Sequence, residues 1–318
     1  MDLARFHDQN KRLGAGLRQV FSGQEDALQQ LLATVYAGGH ALLEGVPGVG
    51  KTLLAKSLAR LLGAEFRRIQ FTPDLMPADI LGTEVFQIAT QSFQLRRGPV
   101  FTTVLLADEI NRTPPKTQAA LLEVMEERSV SLGNQTYSLP ALFTVLATQN
   151  PLEYEGTYPL PEAQVDRFMT KILLHYPSMD EELEVLRAYD QGRDLHRAAQ
   201  QELQPVTAPE EVLEVRQQMR EIRAAPEILR YLAAVVRATR STPRVQLGGS
   251  PRASVHLLLL SKSLAAMDGR DFITPDDVKL AAPAVLRHRL LLTAEAQVAA
   301  DTPDQVLAKV LAQIEVPR

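Results

Sequence analysis

The most constraining feature of the chain is a glycine-rich segment that reads GVPGVGKT from Gly45 to Thr52. Glycine has no Cβ atom, so this backbone can turn tightly and direct successive N–H groups at phosphate oxygens. In a phosphate-binding loop of this pattern, Lys51 reaches the β- and γ-phosphates and the hydroxyl of Thr52 ligates Mg²⁺. The candidate nucleotide-binding residues are therefore Gly45, Val46, Pro47, Gly48, Val49, Gly50, Lys51, Thr52 and Leu53.

The residues on either side of this segment favour the same interpretation. Residues 40–44 are largely apolar and predict a short buried strand, and residues 53–62 carry leucines at helical spacing before Gly63. A strand, a glycine loop and a helix N-terminus together make the anion site that a triphosphate requires. A flexible turn in front of a helix is the alternative.

The composition is that of an ordinary globular protein and excludes several kinds of site. With 318 residues, of which 45% are hydrophobic, the chain is long enough for two domains. It has no cysteine, which excludes disulfides and cysteine-bound zinc and fits the reducing cytoplasm. The net charge is −4 and no basic tract is present, so nucleic acid is not an expected partner. Neither a signal peptide nor an apolar run of ~20 residues is visible, so we expect a cytoplasmic protein without a membrane span.

Strand and helix patterns alternate over residues 40–174, which predicts a parallel sheet covered by helices. The predicted strands cover residues 41–44, 66–71, 104–108, 143–148 and 171–174. Segments 75–98 and 129–140 are interpreted as hairpins. Beyond about residue 177 the pattern is helical, and a polar stretch at 191–209 predicts a domain boundary. We divide the chain into domains 1–204 and 205–318.

Two acidic residues end the third predicted strand, which reads VLLADE. Because the carboxyl ends of parallel strands meet at one edge of a sheet, Asp108 can hold Mg²⁺ beside the phosphate loop. Glu109 can polarise an attacking water as a general base. Adjacent acids at a strand end can also belong to a solvated loop, but the upstream phosphate loop favours the catalytic interpretation. Thr52 and Asp108 are thus the candidate metal ligands.

Three polar residues further along the chain are also candidates. Asn150 follows the fourth predicted strand, and its amide could donate to the γ-phosphate or orient the water. Arg167 precedes the last strand and could reach the γ-phosphate of a neighbouring subunit in a ring. A surface ion pair with Asp166 or Glu162 is the alternative for it. Arg252 follows a predicted helix cap and can point toward a cleft.

Together these motifs resemble those of the AAA+ ATPases and, within them, the MoxR family. The matching segments are FSGQEDAL, GVPGVGKT, RIQFTPDLMPADILGTEVF, RRGPVF, LLADEINRTPPKTQAALLEVMEER, LATQNPLEYEGTYPLPEAQVDRF and GGSPRA. They span about residues 20–168 and the region near Arg252. The segment from the acidic pair through KTQAALLEVMEE is far more specific than the phosphate loop alone.

The resemblance implies an α/β fold with an AAA+ αβα core, in which five parallel strands form the sheet, followed by an all-α lid domain. The hairpins at 82–97 and 129–140 would be the insert in helix 2 and the hairpin before the first sensor. Asn150 would be that sensor, Arg252 the second sensor on the lid and Arg167 a finger supplied in trans. The segment near the adenine would be Phe21, Ser22, Gly23 and Gln24.

The resemblance also implies Mg²⁺-dependent ATP hydrolysis by a homo-oligomer, typically a hexameric ring. Such proteins work with a partner that carries a von Willebrand factor A domain and mature a client protein complex, often by inserting a metal or cofactor. Three alternatives stay open: a magnesium-chelatase ATPase subunit, a DNA-remodelling motor, and a nucleotide switch without turnover. The hairpins carry little positive charge beyond Arg96 and Arg97, which disfavours DNA, and the Asp108–Glu109 pair disfavours the switch.

Overall fold

A five-stranded sheet forms the centre of the computed structural model, which describes residues 3–89, 91–133, 135–150 and 156–317. In chain order, the strands of this region are β1 (Ala41–Gly45), β2 (Phe66–Gln70), β3 (Gly82–Gln87), β4 (Ser92–Arg97), β5 (Val104–Asp108), β6 (Ser129–Leu132), β7 (Gln135–Ser138), β8 (Thr144–Gln149) and β9 (Thr170–Leu174). The sheet has the order β2-β5-β8-β1-β9, and all neighbours pair in parallel. The predicted parallel sheet is confirmed, with each strand within one residue of its expected ends.

The central strands are apolar because helices cover them on both faces. All five residues of β5 are buried, as are all but the last residue of β8, whereas the edge strand β2 has three exposed residues. Near-continuous burial is the pattern of parallel strands inside an αβα layer structure. Because the strands are parallel, they all end at one edge of the sheet, which we call the loop edge. They begin at the opposite edge, which we call the start edge.

Helices surround the sheet and then continue as a second, helical region, which we call the lid. Those of the first region are α1 (Leu3–Arg18), α2 (Glu25–Ala37), α3 (Lys51–Leu61), α4 (Pro77–Leu81), α5 (Pro115–Glu127), α6 (Glu162–Val165), α7 (Met179–Asp190) and α8 (Leu195–Gln201). Those of the second are α9 (Pro209–Gln218), α10 (Pro226–Ser241), α11 (Pro251–Met267), α12 (Pro275–Leu286), α13 (Ala294–Val298) and α14 (Pro303–Gln313). The predicted boundary at residue 204 lies in the connection between α8 and α9.

Local sequence sets where the lid helices begin. Proline occupies the start of α11, α12 and α14, where its missing N–H costs no hydrogen bond. The preceding side chains of Ser250, Thr274 and Thr302 each accept a hydrogen bond from a backbone N–H in the first turn. A short antiparallel pair of strands, β10 (Val245–Leu247) and β11 (Leu291–Leu292), joins the lid helices, and the sequence pattern does not predict it.

The lid is held against the core by a buried arginine. The Arg289 side chain is 2% exposed and pairs with Asp166, its Nε lying 2.6 Å from Oδ1. Its Nη2 also donates to the main-chain oxygens of Asp166, at 2.9 Å, and Phe168, at 2.7 Å. These bonds attach the lid to the segment before β9, so they fix where the lid lies relative to the start edge.

Both predicted hairpins are present. Strands β3 and β4 pair in an antiparallel register that places Phe86 opposite Phe93, with ring centroids 5.2 Å apart. These two rings are 50% and 67% exposed, so the hairpin presents apolar side chains to solvent. Strands β6 and β7 form the second hairpin, whose predicted turn residue Asn134 lies outside the described residues. None of the described helices combines the length and apolar character needed to cross a bilayer.

Candidate nucleotide site

The phosphate loop joins the end of β1 to the start of α3, and its backbone requires glycine. Gly48 and Gly50 have φ angles of 87° and 88°, in the left-handed region that only glycine adopts without strain. A Cβ on Gly45 would lie 2.6 Å from the carbonyl oxygen of Leu174 in the neighbouring strand. The first turn of α3 contains no acidic residue, so its positive N-terminal end stays available to an anion.

The ammonium group of Lys51 lies against this loop. Its Nζ donates to the main-chain oxygens of Gly45 and Val46, the latter at 3.1 Å. Thr52 follows in the same first turn of α3. The cation and the hydroxyl expected to contact phosphate and metal are therefore both at the loop edge, next to the glycine backbone.

Asp108 ends the buried strand β5 at the same edge, two strands away from β1, which is about 10 Å in a sheet. It is 7% exposed, and each of its carboxylate oxygens has a partner. Oδ1 accepts from the hydroxyl of Thr148 at 2.6 Å, and Oδ2 accepts from Nη2 and Nε of Arg68 at 2.6 and 2.9 Å. The carboxylate is therefore oriented by the two strands beside it.

Glu109 has an unusual backbone, with φ 57° and ψ 51°. A non-glycine residue in this region carries steric strain, and such residues concentrate at functional sites. Its N–H donates to the hydroxyl of Thr148 at 2.8 Å, which supports the turn. Its Oε2 accepts from Nε2 of Gln70 at 2.8 Å and lies 3.2 Å from Nε of Arg112. In this structure the side chain of the candidate base is held by residues of its own chain.

Two further predicted contributors border the same edge. Asn150 is buried directly after β8, between the strands that carry the phosphate loop and the acidic pair. Gly23 and Gln24 both have left-handed backbones, and Oε1 of Gln24 accepts from the main-chain N–H of His175, just after β9, at 2.9 Å. A Cβ on Gly50 would lie 3.0 Å from the ring of Phe21. The segment predicted to lie near the adenine therefore borders the phosphate loop.

Comparison with known proteins decides the family. The family model described as "ATPase family associated with various cellular activities (AAA)" matches residues 40–170, and the one described as "AAA lid domain" matches residues 237–310. The chain is 42% identical to Chaperone MoxR1 of Mycobacterium tuberculosis over 95% of its own length and 81% of that protein. It is 31% identical to Protein MoxR of Methylorubrum extorquens, over 91% and 90% of the two lengths. The chain belongs to the MoxR family of AAA+ ATPases.

Two other similarities agree with membership of the MoxR family. The uncharacterised protein YeaC of Bacillus subtilis is 44% identical over 95% of this chain and 92% of its own length. A crystal structure from Cytophaga hutchinsonii, of a protein proposed to be an ATPase, has a TM-score of 0.90 and 38% identity. The structural match covers 100% of this chain and 97% of the Cytophaga hutchinsonii chain. The similarity therefore extends across core and lid.

The MoxR fold places Arg167 and Arg252 away from the phosphate loop of their own chain. Both pair with Glu126 in the last turn of α5, with Nε of Arg167 3.0 Å from Oε2. Beside them, Nη2 of Arg128 donates to the main-chain oxygen of Gly38, just before β1, at 2.9 Å. This cluster is thus at the start edge, separated from Lys51 by the length of a five-residue strand, about 16 Å.

This placement keeps Arg167 away from the phosphate loop of its own chain. It also limits Arg252, because a lid sensor for the same chain's phosphates would have to lie at the loop edge. Arg252 and Arg167 share one carboxylate, so both point to the same region of space, outside their own site. In the alternative interpretation Arg167 pairs with Asp166 or Glu162, but in the structure its partner is Glu126.

Several residues of the site escaped the sequence analysis. Gln70 and Arg68 could have been found from register, since β2 lies beside β5 and Gln70 is directly opposite Asp108. Thr148 lies two residues before Asn150 inside an apolar strand, where a single hydroxyl gives no pattern of its own. Glu126 gave no local signal, because its role depends on two arginines distant in sequence.

Replacing Thr148 with valine should disturb both acids while keeping the side-chain shape. The fully buried hydroxyl bridges Asp108 and the N–H of Glu109, so its loss leaves a buried donor and acceptor unpaired. We expect Thr148→Val to lower the free energy of unfolding by about 1–3 kcal/mol, measured in urea, and to reduce ATP turnover. Thr148→Ser keeps the hydroxyl and should remain close to wild type; equal losses in both variants would contradict the bridging role.

Proposed function

We propose that the chain hydrolyses ATP with Mg²⁺ at sites shared between neighbouring copies of itself in a ring, typically a hexamer. One observation carries the proposal: the glycine loop with Lys51 and the pair Asp108–Glu109 meet at a single edge of the sheet. The relatives named MoxR and Chaperone MoxR1 support a remodelling or maturation role toward a client protein complex.

The loop would hold the triphosphate of ATP through its main-chain N–H groups and the N-terminus of α3. Lys51 would exchange the carbonyl oxygens of Gly45 and Val46 for phosphate oxygens. This exchange is favourable because a charged phosphate is a stronger acceptor for an ammonium than a neutral carbonyl is. Gly45 packs closely against Leu174 of the neighbouring strand, which would hold the start of the loop against the sheet.

The residues at the loop edge also fit a hard divalent cation. Thr52 and Asp108 would hold Mg²⁺ through a hydroxyl and a carboxylate, the oxygen donors that this ion takes alongside water and phosphate. Bound there, the ion supplies charge neutralisation for the phosphates. Arg68 lies 2.6 Å from the same carboxylate and orients Asp108.

Glu109 would accept a proton from the attacking water, and Asn150 would orient the water or the γ-phosphate. For this, the carboxylate of Glu109 must exchange the amide of Gln70 for the water. Arg167 and Arg252 of the adjacent copy would supply positive charge to the γ-phosphate in trans. Each would have to leave Glu126 to do so, which makes the step dependent on subunit contact.

The client side of the proposal rests on surface chemistry. The exposed end of the β3–β4 hairpin carries Phe86, Ile88 and Phe93, so it suits a protein partner better than a phosphate backbone. We further propose that the protein works in the cytoplasm with a partner that carries a von Willebrand factor A domain. Its role would be to help insert a metal or cofactor into the client complex.

Glu109→Gln should keep nucleotide binding and lose turnover, because the amide preserves shape but cannot take a proton. We expect phosphate release to fall about 100-fold or more, with the affinity for a fluorescent ATP analogue unchanged. Lys51→Ala is the matched control, which should lose affinity itself. Wild-type phosphate release from Glu109→Gln would refute the general-base role.

Mixing two inactive variants tests whether the site is shared. Arg167→Ala copies keep an intact nucleotide loop, and Lys51→Ala copies keep the arginine. In mixed assemblies some interfaces regain both parts, so we expect partial recovery of phosphate release in a 1:1 mixture. Assembled mixtures that stay as inactive as the separate variants would count against a finger in trans.

The positive charge of Arg68 should weaken Mg²⁺ binding at Asp108. We expect Arg68→Met to lower the Mg²⁺ concentration that half-saturates binding of a fluorescent ATP analogue by about two- to fivefold, because the exposed guanidinium no longer competes for Asp108. Arg67→Met on the same strand is the control, since Arg67 pairs with Glu65 instead. An unchanged or higher Mg²⁺ requirement in Arg68→Met would contradict the assignment of Asp108.

A further inference from the structure

Helix α7 carries an exposed apolar stripe. Met179, Leu183 and Leu186 fall on one side of the helix, and they are 74%, 38% and 59% exposed. The opposite side, with Val185 and Ala188, packs against the core, so the helix is attached to the fold and ordered. Tyr176 just before the helix adds a further ring that is 71% exposed. This stripe has no covering element among the described residues.

The same helix is strongly acidic. Asp180, Glu181, Glu182, Glu184 and Asp190 stand against a single basic residue, Arg187. Glu181 caps its own helix, but no ion pair in the described part of the chain neutralises Asp180, Glu182 or Glu184. The surface of α7 is therefore an apolar stripe flanked by unpaired negative charge.

A groove lined mainly by basic and apolar residues lies between core and lid at the start edge. It has a volume of about 690 Å³, and Glu126 is the single carboxylate among the described residues that line it. Its apolar floor comes from lid residues such as Val255, Leu258 and Leu259. Its basic residues are Arg128, Arg167, Arg216, Arg220, Arg252 and Lys262. We call this the basic groove.

The positive charge of the basic groove is largely uncompensated. Glu126 is already shared by Arg167 and Arg252. Arg216 donates through Nε and Nη2 to the main-chain oxygen of Val35, and Arg128 donates to that of Gly38, so neither has a carboxylate partner in the described chain. Burial and the nearby Arg128 lower the pKa of Arg216 to about 10.

We propose that α7 of one copy docks in the basic groove of the next copy, and that this contact joins the subunits head to tail. The apolar stripe matches the apolar floor, and the acidic residues match the basic ones. An amphipathic helix lying in a groove is a common recognition mode. Helix α7 begins at the loop edge, whereas the basic groove lies at the start edge, so we assign the contact to two different copies, and it repeats from copy to copy as a ring requires.

The position of α7 connects this contact with the nucleotide. The helix begins five residues after β9, whose last residue pairs with Gly45 of the phosphate loop, and Glu181 adjoins Gly23. Docking α7 in a neighbour's groove would therefore bring the neighbour's Arg167 and Arg252 beside this phosphate loop. This contact presupposes the proposed shared site, and it would be the surface that positions the arginines of one copy at the phosphate loop of the next.

The test uses two variants that break opposite halves of the contact. The helix variant is Met179→Ser with Leu186→Ser, and the groove variant is Arg220→Glu with Lys262→Glu; none of these residues belongs to the catalytic set. Matched controls on the lid surface are Leu229→Ser with Val298→Ser, and Arg230→Glu with Arg237→Glu. Masses are measured by light scattering after gel filtration in Mg²⁺ and a nonhydrolysable ATP analogue.

We expect the wild type and both controls to form large assemblies, and each interface variant alone to stay near the chain mass of 35.2 kDa. A 1:1 mixture of the two interface variants retains one intact helix and one intact groove. It should therefore give a species of about twice the chain mass and nothing larger.

Assembly of either interface variant as in the wild type would overturn the inference, as would a mixture that stays monomeric or a wild type that never assembles. Binding of a fluorescent ATP analogue by each variant separates this failure from failure of the proposed function, which would abolish binding in the wild type as well. Circular dichroism confirms folding. Should the helix variant unfold, Glu182→Lys with Glu184→Lys replaces it and must give the same masses.

Discussion

The parallel pairing of five buried strands is the constraint on which the rest of the structure depends. Because β1, β5 and β8 run in one direction, the phosphate loop, the acidic pair and Asn150 all emerge at one edge. The same pairing sends the helix that follows β5 back to the start edge, where Glu126 meets the two arginines. The strand order therefore places the phosphate loop and the two arginines at opposite edges of the sheet.

Each charged group of the proposed site has a partner inside its own chain. Lys51 donates to loop carbonyls, Asp108 pairs with Arg68, and Glu109 accepts from Gln70. Such bonds satisfy groups that would otherwise be costly to bury, but they must be exchanged when substrate and neighbour arrive. In the proposed function, the reactive groups of a single chain are therefore occupied, and catalysis would depend on nucleotide and assembly.

The sheet and the phosphate loop could be predicted because their signals are local. An apolar run that ends in Asp108 and Glu109 can be placed from the sequence alone, as can a glycine loop before a helix. Arg167 and Arg252 were found as candidates, but their common partner could not be, since Glu126 meets them only through the packing of the lid on the core. The contacts of Thr148 cannot be predicted in this way, because a buried threonine in an apolar strand gives no pattern of its own. The exposed apolar side of α7 likewise cannot be predicted from its sequence, because exposure depends on how the other elements pack around the helix.

The most direct test of the account is the structure of the protein with Mg²⁺ and a nonhydrolysable ATP analogue. We predict the triphosphate along the glycine loop, with the ammonium of Lys51 moved from the carbonyls of Gly45 and Val46 onto phosphate oxygens. A loop without nucleotide, or a bound nucleotide with Lys51 still on those two carbonyls, would contradict the central claim.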